Sequence, residues 1–143
     1  MNERTLPEHL GVLIKQTQAV LHQRMDEVLQ ELGLSVPQYV CLQTLADAPG
    51  ITGSELARRV FVSRQSMNVL LQGLEKRGLV ERSPDPGPRR ERAASLTDAA
   101  AGLVVDARAR VAAVADRMTG GLDAAAQRRL GEALRSCRDA LAD

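Results

Sequence analysis

The sequence predicts a mainly α-helical chain carrying one small β-hairpin, an α+β architecture with the strands confined to a single projection. Three observations lead there. Ser, Thr or Asp residues recur just ahead of segments whose apolar residues are spaced by threes and fours, the pattern of capped amphipathic helices. Two short extended runs, at 79–82 and 92–96, flank a stretch rich in Pro and Gly, the pattern of a hairpin. With one Tyr, one Phe and no Trp, the core must be built from Leu, Val and Ala, and abundant Ala favours helix over sheet.

At 143 residues and 44% hydrophobic content the chain can bury one modest core, so a single domain spanning 1–143 is expected. No segment approaches the roughly 18 uninterrupted apolar residues of a membrane span, and the polar start from Met1 to Thr5 lacks the apolar stretch of a signal peptide. A cytoplasmic location is therefore expected. Cys41 and Cys137 lie far apart in sequence and form no redox or metal-ligand pair. Both read as small hydrophobes buried in helices, which leaves thiol-based redox sensing as a minor alternative.

The first helix begins at a T-x-x-E capping box, Thr5 with Glu8, with Pro7 in its first turn. Leu10, Leu13, Ile14, Leu21, Met25 and Leu29 belong to its apolar stripe, which Gly33 ends. Ser35 with Gln38 caps a second helix running to Pro49 and Gly50. Thr52 with Glu55 repeats the box ahead of a helix of about two turns. Ser63 caps a fourth helix through Arg77, with Met67, Leu70, Leu71 and Leu74 facing inward and Gly78 as its stop. Thr97 and Asp98 open a long fifth helix reaching Gly120 and Gly121, and Asp123 caps the last. In that last helix Leu130, Leu134, Cys137 and Leu141 form a seam suited to packing on another helix.

Two short helices in a tight bend followed by a hairpin make a winged helix-turn-helix, and that layout points to DNA. Charge agrees with it. Between Arg58 and Arg92 nine basic residues face four acidic ones, a surplus of five, whereas the rest of the chain is acidic by four. Only Lys15 and Lys76 are lysines, and the planar fork of Arg matches phosphate and guanine. The start of the fourth helix offers Ser63, Arg64, Gln65, Ser66 and Asn68, side chains able to address base edges and phosphates. Arg89 and Arg90 sit at the tip of the proline-restricted loop, where a guanidinium could enter the minor groove. Lys76 and Arg92 complete the expected DNA-binding set. Catalysis finds little support, with two histidines in one helix, no Gly-rich phosphate loop and no H-E-x-x-H or C-x-x-C pairing. A helical dimeric protein-interaction module without DNA binding is the rival reading.

The runs Glu55-Leu-Ala-Arg-Arg-Val, Ser63-Arg-Gln-Ser-Met-Asn, Leu74-Glu-Lys-Arg-Gly-Leu-Val-Glu-Arg and Asp85-Pro-x-x-Arg-Arg, closing on Leu96-Thr97, together resemble the MarR family of bacterial transcriptional regulators. The resemblance implies a homodimer, with residues 1–34 and 98–143 as N- and C-terminal dimerisation helices and 35–97 as the winged helix-turn-helix lobe. It also implies a regulator, chiefly a repressor, released from a near-palindromic double-stranded operator by a small aromatic or phenolic ligand. No cofactor is implied. Two positions depart from the family pattern. Pro88 stands where an Asp normally holds the wing arginine matched by Arg90, and Phe61 stands where Gly is usual in the bend.

A ligand site is only faintly legible. His9, Lys15 and Gln16 lie among apolar residues of the first helix, where Lys15 could meet a carboxylate if turned inward. All three also suit the solvent face of an amphipathic helix. For DNA the expectation is two recognition helices in successive major grooves, roughly 10 base pairs apart. Gln65 and Asn68 would discriminate bases by about 1–3 kcal/mol each if bidentate.

Overall fold

The computed structural model describes residues 3–85 and 92–142. Its elements follow the expected order: α1 (Leu6–Gln30), α2 (Val36–Asp47), α3 (Gly53–Arg59), α4 (Arg64–Lys76), β1 (Val80–Arg82), β2 (Ala94–Leu96), α5 (Asp98–Met118) and α6 (Ala124–Leu141). The strands pair antiparallel, Val80 opposite Leu96 and Arg82 opposite Ala94. An isolated bridge between Thr52 and Ala93 ties the hairpin to the start of α3.

Local hydrogen bonds explain the helix starts. Thr5 with Glu8 and Ser35 with Gln38 form reciprocal capping boxes, and Thr52, Ser63, Thr97 and Asp123 each accept from the backbone N–H three residues on. The box expected at Thr52 is only half made, because the Glu55 carboxylate turns along the helix to Arg59 at 3.6 Å. The helix ends are equally explicit. Gly33 and Gly78, both at φ +72°, let the next residue's N–H reach back, Leu34 to the Leu29 carbonyl and Leu79 to the Leu74 carbonyl. Phe61 holds the same place after α3 at φ +58°, with Val62 N–H donating to the Ala57 carbonyl and Phe61 N–H to that of Arg58.

The core lies in the middle of the chain. Tyr39, Cys41, Leu42 and Leu45 of α2 meet Leu56 of α3 and Met67, Leu71 and Leu74 of α4, closed by Ala100, Val104 and Ala107 of α5. From α1 only Leu29 is fully buried, and α6 buries no side chain. The apolar stripe of α1 is exposed over its first half, at Leu10, Leu13 and Ile14, as is Leu6 ahead of it. Cys137, expected to be buried, is exposed beside Leu130, Leu134 and Leu141. The described residues of a single copy supply no surface to cover them. α5 is pinned to α2 by Arg108, which donates to Gln43 at 3.1 Å and pairs with Asp47 at 3.0 Å, and to the end of α1 by an Arg110–Glu31 ion pair.

Candidate nucleic-acid interface

α4 presents one face outward because its apolar residues are confined to the other. At 100° per residue, Gln65, Val69, Gln72 and Lys76 fall within about 60° of one another, and all four are exposed. Asn68 flanks that row, and Arg64 lies at its N-terminal edge, both exposed. Val69 is 67% exposed although apolar, so nothing among the described residues explains its place on this face. Val69 and Gln72 were not singled out in the sequence, yet their spacing of four and seven from Gln65 was the signal that would have found them.

The polar residues at the helix start divide between structure and solvent. Ser63 is committed to the cap: its hydroxyl accepts from Ser66 N–H at 3.0 Å and donates to the Ser66 hydroxyl at 2.9 Å. Gln65 stands clear of that pair. Asn68 accepts at Oδ1 from Arg82 Nη2 at 3.4 Å. Arg92, expected to address DNA, closes the base of the hairpin, donating from Nε to the Ser83 carbonyl at 2.6 Å and from Nη2 to the Arg82 carbonyl at 3.4 Å. The wing tip expected to carry Arg89 and Arg90, together with Pro88, lies outside the described residues.

Phe61 immediately precedes this face. An aromatic at that bend could have packed beside the turn, but the ring is 73% exposed, so its backbone serves the fold more than its ring. Because Val62 and the Ser63 cap follow directly, the ring stands at the entry to α4.

A second feature lies between α1 and α5. A cavity of about 360 Å³ is lined by Leu21, Val114 and Met118 together with Gln16, Arg24 and Arg117. Among the expected ligand residues the structure brings only Gln16 to it; His9 and Lys15 are exposed on α1 and do not line it. Arg24 and Arg117 were missed because ninety-odd residues separate them in sequence and only the pairing of α1 with α5 unites them. Arg24 is held by Glu27 at 2.7 Å.

The two thiols differ sharply in setting. Cys41 is fully buried, 3.9 Å from the Met67 sulfur, and burial pushes its thiol up to about 12, leaving it protonated and a poor nucleophile at neutral pH. No cluster of three potential metal ligands occurs among the described residues, and no helix there is long and apolar enough to cross a membrane.

Comparison with known proteins agrees with this geometry. The sequence model of the MarR family matches residues 32–91. The HTH-type transcriptional repressor Rv2887 of Mycobacterium tuberculosis is 38% identical over 119 residues, covering 83% of this chain and 86% of the relative. The crystal structure of Rv2887 in complex with DNA superposes with a TM-score of 0.72 at 32% identity, covering 94% of this chain and 98% of that one. Its complex with p-aminosalicylic acid gives a TM-score of 0.70 at 36% identity, covering 90% and 97%. The chain described here belongs to the MarR family of winged helix-turn-helix transcriptional regulators.

Proposed function

We propose that the chain acts as a homodimeric, sequence-specific DNA-binding repressor in the cytoplasm, released from a near-palindromic operator by a small aromatic carboxylate, and with no catalytic step of its own. The observation that carries this reading is the exposed row Gln65, Val69, Gln72 and Lys76 on a well-capped α4. A helix face carrying amide, apolar and cationic groups suits a major groove that displays hydrogen-bonding edges, thymine methyls and phosphates. That the similar Rv2887 has been crystallised with DNA adds weight.

In this reading Arg64, Gln65, Ser66 and Asn68 face the groove or its phosphates. Ser63 holds the helix start, Lys76 meets the backbone at the far end, and Arg89 and Arg90 reach the minor groove. Arg92 acts by closing the base of the hairpin. Residues 35–97 form the reading lobe, and 1–34 with 98–143 form the dimerisation helices. The exposed leucines of α1 and α6 support that division, since the core is centred on the lobe and borrows from α1 and α5 only Leu29, Ala100, Val104 and Ala107 as buried residues, whereas the terminal helices keep apolar faces exposed.

The cavity between α1 and α5 suits the effector. Apolar walls with two arginines among the lining residues suit a small aromatic acid, and Rv2887 is known in complex with salicylic and p-aminosalicylic acids. Release then requires that the acid bind more tightly to a dimer shape that no longer fits the operator.

The test is fluorescence anisotropy of the purified chain against its own upstream intergenic duplex and a scrambled duplex at two salt concentrations. Tight, salt-sensitive binding that prefers the native duplex and is reversed by salicylate is the expected result. Equal affinity for both duplexes at low salt would refute sequence-specific binding to that DNA, and no binding at all would return the chain to the interaction-module reading.

A further inference from the structure

Among the described basic residues of the positive segment, Arg82 is the one that the structure turns inward. The alternation of β1 puts it on the same side as buried Val80, with Glu81 exposed between them, and its side chain is only 14% exposed. From there it crosses to the recognition helix. Nη2 lies 3.4 Å from Asn68 Oδ1 and Nη1 lies 3.9 Å from Glu75 Oε1. Room for this crossing comes from Gly53, where a β-carbon would stand 3.2 Å from Arg82 Nη2 and 3.7 Å from Asn68 Oδ1. Arg82 Nε is buried without an acceptor among the described residues. A guanidinium kept inside with one donor unmet is held there by its other contacts, and Asn68 is among them.

The consequence concerns which end of the Asn68 amide faces DNA. Only the oxygen of a carboxamide can accept from a guanidinium, so Arg82 fixes Oδ1 toward the hairpin and leaves Nδ2 as the outward group. We propose that Arg82 is a positioning residue that sets base preference by presenting Asn68 as a double donor, which selects guanine over adenine at the base pair it faces. This rests on the DNA-binding reading above. Guanine offers two acceptors in the major groove, N7 and O6, whereas adenine pairs its N7 acceptor with an N6 donor and requires an oxygen in return. An Asn68 freed from Arg82 can turn that oxygen outward and match adenine. The base discrimination expected of Asn68 from sequence thereby acquires a direction, toward guanine.

Selection from a randomised duplex library tests this, with wild type, Asn68→Ala, Arg82→Met, Arg82→Lys and Gly53→Ala compared and thermal melting as a control for folding. Wild type should select guanine at one position per half-site, and Asn68→Ala should erase that preference alone. Arg82→Met should move the guanine-to-adenine affinity ratio at that position about ten-fold toward adenine, with the salt slope unchanged. Arg82→Lys, which keeps a donor, should preserve guanine. If Arg82→Met does not fold, Gly53→Ala carries the test, because its added β-carbon would stand 3.2 Å from Nη2 and crowd the guanidinium without removing it, and should shift the same position in the same direction by a smaller factor. A uniform loss of affinity with an unaltered base pattern would overturn the proposal and leave Arg82 a purely structural strut. A salt slope lower by about one would overturn it as well, by making Arg82 a phosphate contact. Wild type selecting no sequence at all would instead remove the DNA-binding reading on which the proposal stands.

Discussion

Glycine at position 61 should make the chain more stable than alanine there, reversing the usual order of these two residues. Phe61 occupies the left-handed position that ends α3, at φ +58°, and its backbone bonds repeat those made after Gly33 and Gly78. An L-residue in that conformation costs about 1–2 kcal/mol, while glycine loses about 0.5–1 kcal/mol more backbone entropy on folding than alanine. The difference favours Phe61→Gly over Phe61→Ala by about 0.5–1 kcal/mol. The ring itself enters weakly. It is 73% exposed, so the quarter or so that is covered represents about 0.5 kcal/mol of the roughly 1.5–3 kcal/mol for full burial. Phe61→Ala should therefore fall about 0.5 kcal/mol below wild type, and Phe61→Gly should match or exceed wild type. Urea unfolding at matched protein concentration reads this directly, since dimer stability depends on concentration. A Phe61→Gly variant less stable than Phe61→Ala would show that residue 61 is not held left-handed in solution.

Three further outcomes follow from the same structure. Replacing Arg64 and Arg90 together by Ala should weaken duplex binding and lower the slope of log affinity against log salt by up to about two, with the sedimentation behaviour of the free protein unchanged. Leu134→Glu should convert the dimer to monomer in analytical ultracentrifugation, because Leu134 is 44% exposed in one copy and lies on the uncovered seam of α6; persistence of the dimer would move the interface elsewhere. For Cys41 the folded thiol stands near 12 against an ordinary value of 9.0, so its contribution is complete below pH 9 and is lost as pH rises toward 12. Three units correspond to about 4 kcal/mol over that window. Unfolding free energy measured from pH 8 to 11 should fall less steeply in Cys41→Ala than in wild type.

Features decided by neighbours in the chain were legible in the sequence. Thr5, Ser35, Ser63, Thr97 and Asp123 could be read as caps because each hydroxyl or carboxylate needs only the N–H three residues ahead. The same logic overreached at Glu55, where Arg59 lies one helical turn away and competes for the carboxylate. Features that require distant segments to meet were not legible. Arg82 reads as one more cation of a positive stretch until Gly53, Asn68 and Glu75 are brought around it. Arg92 likewise reads as a DNA contact until the hairpin gives it the carbonyls of Arg82 and Ser83. The apolar seams of α1 and α6 were legible as seams, but the sequence does not say whether the covering surface is the same chain or another copy.

α5 belongs to both halves of the molecule, and this gives the proposed effector response a mechanical basis. Ala100, Val104 and Ala107 are buried in the lobe core, and Arg108 fixes the helix to α2. About two to three turns further on, Val114, Arg117 and Met118 line the cavity against α1. A helix of 21 residues is a rigid lever of about 30 Å at 1.5 Å per residue. Tilting it by about 5° to admit a ligand carries its far end through about 2.6 Å, close to the roughly 3.4 Å rise of one base pair along a strand. The lobe packed on that end moves with it, because a close-packed core transmits strain and does not absorb it. In a dimer both lobes shift, so two recognition helices set about one helical turn apart lose register with their half-sites together. A ligand that only filled the cavity without tilting α5 would leave operator affinity unchanged however tightly it bound.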